Sequence, residues 1–355
     1  MKIMSILHGS SFGGTEQHIL NLLPGLSKGG VDCCVLTDQQ DLIRKLCTKG
    51  IENRHISFNN PYKAILELRK YIDNRCDIVH AHRVDSLAFV VFALTNIDIP
   101  IICTIHSIYK DEILQVTDPK SGKVISFSSN YLLNRVNTIV AISNAVKQSL
   151  INAGINEHKI KVIFNGVEKS SCVKTSSNYN YTIGFVGRLH YEKGPDILID
   201  AFKILNDKYP NLMRLHIIGD GPMKSQLIGF VKANGLESLC KFEGYVSNPI
   251  EKYCNLDVLV LPSREEGMGL VLLEAFSTKV PVIASETGGI KELINNNTGI
   301  LFECENSKAL AESIELLYKF PEISKKLIQS AYELWKNNYT VNHFVQKHID
   351  LLNCI

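Results

Sequence analysis

A glutamate in the middle of an apolar helix is the first residue of this 355-residue chain that asks for a chemical explanation. Residues 257–274 read DVLVLPSREEGMGLVLLE. The pattern predicts a strand over Asp257–Leu261, a Pro-Ser-Arg loop, and a helix that starts near Gly267. Leu270, Val271, Leu272, Leu273, Ala275 and Phe276 surround Glu274. A helix that is apolar nearly all round is expected to be buried, and a carboxylate inside it is costly unless it finds donors. Glu266 stands eight residues earlier, at the helix mouth, which places the two carboxylates roughly 12 Å apart along a helix. Helix N-termini that follow parallel strands attract phosphate. The two acids are therefore spaced to grip both ends of one elongated ligand whose phosphates lie at the helix start. The plainer alternative is a helix-capping acid plus a buried structural ion pair.

A cationic pair lies upstream. The segment TIGFVGRLHYEKG predicts a strand ending at Gly187, followed by Arg188 and then Lys193. An arginine and a lysine just past a strand end can hold a diphosphate, the arginine by two hydrogen bonds and the lysine as a point charge. If that diphosphate leaves during reaction, both cations stabilise the charge that grows on it. The alternative is a solvated basic turn.

The elements that must position these residues alternate along the chain. Short Ile- and Val-rich strands are predicted at Ile3–Leu7, Cys33–Leu36, Asp77–His80, Ile101–Ile105, Thr138–Ile142 and Lys161–Phe164. They are apolar on both faces, as in buried parallel sheets. Helical patterns such as Glu16–Leu26, Tyr62–Tyr71 and Asn144–Ala153 separate them. The polar, Ser-rich run Glu168–Asn180 has no periodicity and suits a linker. Strands resume at Thr182–Val186, Leu215–Ile218, Lys241–Glu243, Val258–Leu261 and Val280–Ala284. This is the pattern of two doubly wound, Rossmann-like α/β domains. The expected boundaries are 1–167 for the first domain, 168–181 for the linker and 182–338 for the second domain. A closing helix within 339–355 is expected to pack back on the first. Gly13-Gly14 and Gly288-Gly289 each form a turn between a strand and a helix. Ligands of such folds bind at the carboxyl ends of the strands. The long polar stretch Ile108–Ser128 shows no clear strand and has the length of a functional loop.

Composition narrows the class. A hydrophobic fraction of 45% and a charged fraction of 21% are those of an ordinary globular protein. A net charge of +2 gives no electrostatic case for nucleic acid. The longest apolar runs are too short to span a bilayer, and no signal peptide is expected. The ten cysteines form no C-x-x-C pair and are expected to be reduced, mostly buried thiols of a cytoplasmic protein. The basic stretch Lys63–Arg75 has two readings: a solvated amphipathic helix, or a peripheral contact with the cytoplasmic face of an anionic inner membrane. No Asp-x-Asp pair occurs, which disfavours a diphosphate held through a carboxylate-bound metal. No cofactor and no metal are expected.

The motifs together resemble family 4 of the retaining nucleotide-sugar glycosyltransferases, which have the GT-B fold. The ordered set is FGGTE, IHS at 105–107, AISNAVKQSL, KVIFNGV, GFVGRLHYEKGPDILIDAF, LHIIGDGP, FEGYV, LPSREEGMGLVLLEAF and ASETGGIKELI. The resemblance implies two domains facing across a cleft. It implies transfer of a hexosyl unit from a nucleoside diphosphate sugar to an acceptor hydroxyl, with retained stereochemistry. Arg188 and Lys193 would bind the diphosphate, and Glu274 would accept from the ribose hydroxyls. Glu266 would stand at the transferred sugar. The amides of Met268, Gly269 and Leu270 would face the sugar and phosphates. Tyr245 and Val246 would flank the base, Gly13-Gly14 would close over the diphosphate, and His106 would reach the donor sugar. His8, His80 and His82 are expected to line the same region. A uridine diphosphate sugar is the first expectation for the donor and guanosine diphosphate mannose the second. A growing glycan, on a lipid carrier in bacterial surface polysaccharide synthesis (lipopolysaccharide, O-antigen or capsule), is the expected acceptor.

Three other classes share features. A nicotinamide dehydrogenase would use Asp38 at the second strand end, but HGSSFGG is not G-x-G-x-x-G. A nucleotide-sugar 2-epimerase shares the fold and the donor. A non-catalytic partner subunit should have lost some of Arg188, Lys193, Glu266 and His106, and all four are present.

Overall fold

The computed structural model describes residues 1–9, 13–73, 75–117, 124–170 and 181–355. Most of the expected linker and the tip of the 108–128 loop lie outside the described residues. The chain divides into two compact units, Met1–Gly166 with Val341–Ile355, and Val167–Thr340.

The first unit is built on β1 (Lys2–Leu7), β2 (Asp32–Thr37), β3 (Glu52–His55), β4 (Ile78–His82), β5 (Ile101–Ile105), the pair β6 (Ile113–Thr117) and β7 (Val124–Ser128), β8 (Thr138–Ala141) and β9 (Ile160–Val162). Seven of these form one sheet in the order β3-β2-β1-β4-β5-β8-β9, parallel throughout. Every residue of β4 and β5 is buried, the reason their sequences carry no polar alternation. β3 escapes a pattern search because it is a short, mostly exposed edge strand of four polar residues. The 108–128 stretch, expected to lack strands, folds into the antiparallel hairpin β6-β7. Each of its strands, ILQVT and VISFS, is apolar at three of five positions, a signal too short to stand out from the polar residues around it. The unit's helices are α1 (Gly14–Lys28), α2 (Gln40–Thr48), α3 (Pro61–Ile72), α4 (Val84–Ala93), α5 (Ser129–Leu133) and α6 (Asn144–Asn152). α3 buries Ala64, Leu68 and Ile72, and Arg69 Nη1 donates to the Thr95 carbonyl at 2.9 Å.

The second unit holds β10 (Tyr181–Val186), β11 (Met213–Ile218), β12 (Cys240–Gly244), β13 (Val258–Leu261), β14 (Val282–Ser285) and β15 (Ile300–Phe302). They form a sheet in the order β12-β11-β10-β13-β14-β15, again with parallel pairs throughout. Its helices are α7 (Pro195–Lys208), α8 (Lys224–Ala233), α9 (Ile250–Tyr253), α10 (Leu270–Thr278), α11 (Ile290–Leu293), α12 (Ser307–Lys319) and α13 (Pro321–Asn338). Val167 is anchored here: its amide bonds the Tyr339 carbonyl at 3.0 Å, and the buried Trp335 donates Nε1–H to its carbonyl at 3.2 Å. The final helix, α14 (Val341–Leu352), belongs to the first unit and packs on α1. There a Cβ on Gly25 would meet Val345 Cγ2 at 2.3 Å, so glycine permits the close approach.

Each sheet has one crossover reversal, β1 to β4 in the first unit and β10 to β13 in the second. Such reversals open crevices at the carboxyl ends of strands. Among the described residues no helix is long and apolar enough to cross a membrane. Among the described residues, three of the eight free cysteines, Cys33, Cys34 and Cys103, are buried, and Cys254 is disulfide-bonded. Both findings depart from the expectation of ten reduced, mostly buried thiols.

Candidate active site

In the second unit the site is assembled by backbone packed on backbone. β10 ends at Val186, and Gly187 N bonds the Ile218 carbonyl of β11 at 3.0 Å, while Leu189 N bonds Asp220 O at 2.9 Å. Gly219 is so close to this loop that a Cβ would fall 1.8 Å from the Gly187 carbonyl oxygen. The two strand ends are thereby laced together, and Arg188 is left exposed between them. Its guanidinium has no partner among the described residues.

The chain then makes a single tight turn over Tyr191–Lys193 and enters α7 through Gly194 and Pro195. Gly194 has φ +62°, and a Cβ there would meet the Pro262 carbonyl at 2.1 Å. Only glycine fits, and that contact sets Lys193 beside the loop after β13. Lys193 Nζ lies 2.7 Å from Glu266 Oε2, a pair mostly shielded from solvent. Ser263 Oγ donates to the same oxygen at 3.3 Å.

Arg264 fastens this loop, a role the sequence did not disclose. It grips Asp196 with two bonds of 3.0 and 2.7 Å, Glu305 at 2.8 Å and the Tyr191 carbonyl at 2.8 Å, and stacks on the Tyr191 ring at 3.8 Å. Hydrogen bonds to these carboxylates raise its already high pKa. From behind, Gly289 N bonds the Glu266 carbonyl at 3.0 Å. A Cβ on Gly288 would lie 2.0 Å from that same oxygen. The Gly288-Gly289 turn is therefore a backing for Glu266.

The helix begins at Leu270, three residues later than the expected start near Gly267. Gly269 caps it with φ +83°, so Glu266 sits in the loop and no helical spacing relates it to Glu274. Met268 is buried. Glu274, in the second turn of α10, is buried with the Tyr253 hydroxyl donating to Oε2 at 2.6 Å. Burial raises its pKa to about 7, although the Tyr253 bond pulls the other way. Tyr253 comes from α9, and nothing in the sequence marks it as this partner. Tyr245 and Val246 follow β12, Tyr245 exposed and Val246 half-buried.

The first unit supplies the other expected residues. Gly13 N donates to Glu16 Oε2 at 2.6 Å, and Gln39 Nε2 donates to Glu16 Oε1 at 2.7 Å. This buried glutamate shapes the Gly13-Gly14 turn at the start of α1. His106 follows β5, half-buried, at a cavity of about 210 Å³ that it lines with Arg83, Asp85, Ser107 and Tyr109. The histidines expected to line the region divide. His8 is half-exposed, its Nδ1 2.7 Å from Asp38 Oδ2. His80 and His82 are buried, and His80 Nε2 lies 2.7 Å from the Thr104 hydroxyl. Burial, reinforced by neighbouring histidines, pushes the pKa values of His80, His82 and His106 well below the usual imidazole value. At neutral pH all three are neutral.

Residues 168–334 match the family of glycosyl transferases group 1, and residues 12–171 match Glycosyltransferase Family 4. An uncharacterised glycosyltransferase of Methanocaldococcus jannaschii is 30% identical over 263 residues, 73% of this chain and 70% of the relative. The chain belongs to the group 1 glycosyltransferases. A Staphylococcus aureus capsular polysaccharide biosynthesis glycosyltransferase is 34% identical to the transferase over 199 residues, 50% of this chain and 51% of that one. Anabaena HepE, solved in complex with UDP-glucose, matches with a TM-score of 0.87 at 22% identity, over 100% of both chains. That likeness shows the GT-B fold.

Proposed function

We propose that the transferase moves a hexosyl unit from a uridine diphosphate sugar to a glycan hydroxyl, with retention at the anomeric carbon and without a metal at the diphosphate. The buried Glu274 carboxylate is the observation that carries this reading. It has accepting capacity left beyond its Tyr253 bond, and ribose hydroxyls are donors of the matching kind. Arg188 and Lys193, on loops of the same unit, take the diphosphate in place of a cation. The amides of Met268, Gly269 and Leu270 at the α10 mouth add the favourable end of a helix dipole.

Glu266 stands at the transferred sugar, and Lys193 exchanges its bond to Glu266 for a phosphate oxygen when the donor enters. Tyr245 and Val246 flank the base. Gly13, Gly14 and His106 are assigned to the diphosphate and the donor sugar. Departure of the diphosphate and attack by the acceptor occur on one face, the leaving phosphate taking the acceptor proton. The uridine donor is favoured over guanosine diphosphate mannose by the UDP-glucose bound in HepE. The capsular relative supports a bacterial surface polysaccharide as product, assembled on a lipid-linked acceptor at the cytoplasmic face of the membrane.

Slow hydrolysis of the donor tests stereochemistry and metal use without an acceptor. In EDTA, a uridine diphosphate α-hexose should release α-hexose first by proton NMR, at the rate seen without chelator. Initial β-hexose refutes retention. Loss of hydrolysis in EDTA, restored by Mg²⁺ or Mn²⁺, refutes metal independence.

A further inference from the structure

The mechanism uses His106 alone of a cluster of five histidines. His18, His80, His82 and His348 surround it, and all four are buried. The His18 ring meets that of His106 at 4.7 Å and that of His82 at 5.4 Å between centroids. His80 stacks on His82 at 4.2 Å. Histidines gathered without a carboxylate among them gain little by packing alone. Among the described residues Nε2 of His18 is buried with no hydrogen-bond partner. Buried polar atoms are nearly always paired, so each exception needs a cause.

We propose that His18, His82 and His106 form a binding site for one divalent first-row ion of the zinc class. One ring nitrogen from each lies within 4.8 Å of the others. His82 Nδ1 and His106 Nε2 are 3.4 Å apart. That is the separation of two ligands on a tetrahedral ion with metal–nitrogen bonds of about 2.0–2.1 Å. His18 is prepared as the third ligand by its far side. Its Nδ1 lies 2.7 Å from Asn165 Oδ1, and an amide oxygen only accepts, so Nδ1 carries the proton and Nε2 presents its lone pair. A metal-bound histidine is ordinarily held in this way by its second nitrogen. The three nitrogens, within 4.8 Å of one another, close on the ion when it binds.

The fold explains how the three arrive together. His82 ends β4, and His106 follows β5, its parallel neighbour. His18 points in from the second turn of α1. His106 also lines the cavity of about 210 Å³, the side from which an ion would reach its ring. Arg83 on that cavity is ion-paired with Asp85, so its charge is met. Three neutral imidazoles select zinc, cobalt, nickel or copper, whereas magnesium and calcium prefer oxygen ligands. This ion is thus unlike one that bridges a diphosphate to carboxylates. One consequence rests on the proposed function: a bound ion occupies His106 Nε2 and so inhibits transfer.

Cobalt binding to the chelator-treated full chain tests the site without reference to activity. The wild type should develop the visible ligand-field bands of four-coordinate Co²⁺, saturating at one ion per chain and displaced by an equal amount of Zn²⁺. His106→Gln, which alters a half-exposed side chain, and His18→Gln should lose the bands while keeping a cooperative thermal transition. His55→Gln, on the exposed edge strand, should keep them. Absence of bands in the wild type overturns the site, and so does their persistence in folded His106→Gln. If the bands behave as expected but Zn²⁺ leaves donor turnover unchanged, the ion site stands and the assignment of His106 to the donor falls.

Discussion

Lys193→Ala is expected to lower turnover of the donor by about 100- to 1000-fold, the usual cost of removing one preorganised charge partner of a leaving oxyanion. The position of the ammonium sets this size. It is 2.7 Å from Glu266 Oε2 and mostly shielded, in a place where electrostatic interactions are stronger than in water. A cation that stabilises charge growing on the departing diphosphate acts on kcat more than on KM. Glu266→Gln should separate the two roles. It frees Lys193 from its resting partner, so the free diphosphate binds more tightly while turnover still falls. Lys193→Arg should not restore the rate, because a planar fork cannot replace a point charge in this turn. Steady-state kinetics of the three variants decide the matter. A loss in Lys193→Ala confined to KM would show a cation that only holds the ground state.

Glu274→Gln is expected to stabilise the free protein and to weaken it as a nucleotide binder. Burial raises the Glu274 carboxyl to about 7, well above the usual carboxylate range. A carboxyl with a raised folded-state pKa favours folding fully below the unfolded value, and that contribution is lost as pH rises through the folded value. At pH 8 the native protein therefore carries an unfavourable buried charge. The amide removes it and keeps an oxygen for Tyr253, for a gain on the order of 2–3 kcal/mol. Ligand binding works in the opposite direction. Ribose hydroxyls that donate to the carboxylate favour its ionised form, so binding releases a proton. Affinity for uridine diphosphate should rise by up to about tenfold per pH unit below pH 7 and level off above it. Glu274→Gln should flatten this profile and cost about 10- to 100-fold in affinity at pH 8, the worth of hydrogen bonds to a charged group. Calorimetric titrations from pH 6 to 8.5 give both readings. A flat wild-type profile would mean that the hydroxyls do not reach Glu274.

Legibility from sequence followed sequence distance and burial. The β4 and β5 strands were readable because both faces are buried and their residues are mostly Ile, Val or small. β3 was invisible because its exposed residues carry no apolar alternation. The β6-β7 pair is hidden from a pattern search because its two five-residue strands, ILQVT and VISFS, are flanked by polar residues that dominate the 108–128 stretch. Glu266 and Glu274 stood out as charges in apolar company. Their partners did not, since Lys193 is 73 residues from Glu266 and Tyr253 is 21 from Glu274. The helix start was placed too early because Gly267, Met268 and Gly269 are buried like the helix that follows. Only the positive φ of Gly269 shows that the chain is still turning. The histidine cluster is the extreme case. His18 and Asn165 are 147 residues apart, and no local pattern could pair them.

The most direct test of the donor assignment is slow hydrolysis of a panel of nucleotide sugars, uridine and guanosine donors with NAD as a control, by wild type and Arg188→Ala. One uridine diphosphate sugar should be cleaved by the wild type, and Arg188→Ala, which changes an exposed side chain with no guanidinium partner among the described residues, should lose most of that cleavage while melting at the same temperature. Equal cleavage by both proteins, or no sugar nucleotide bound at all, would contradict the placement of the donor diphosphate at Arg188 and Lys193.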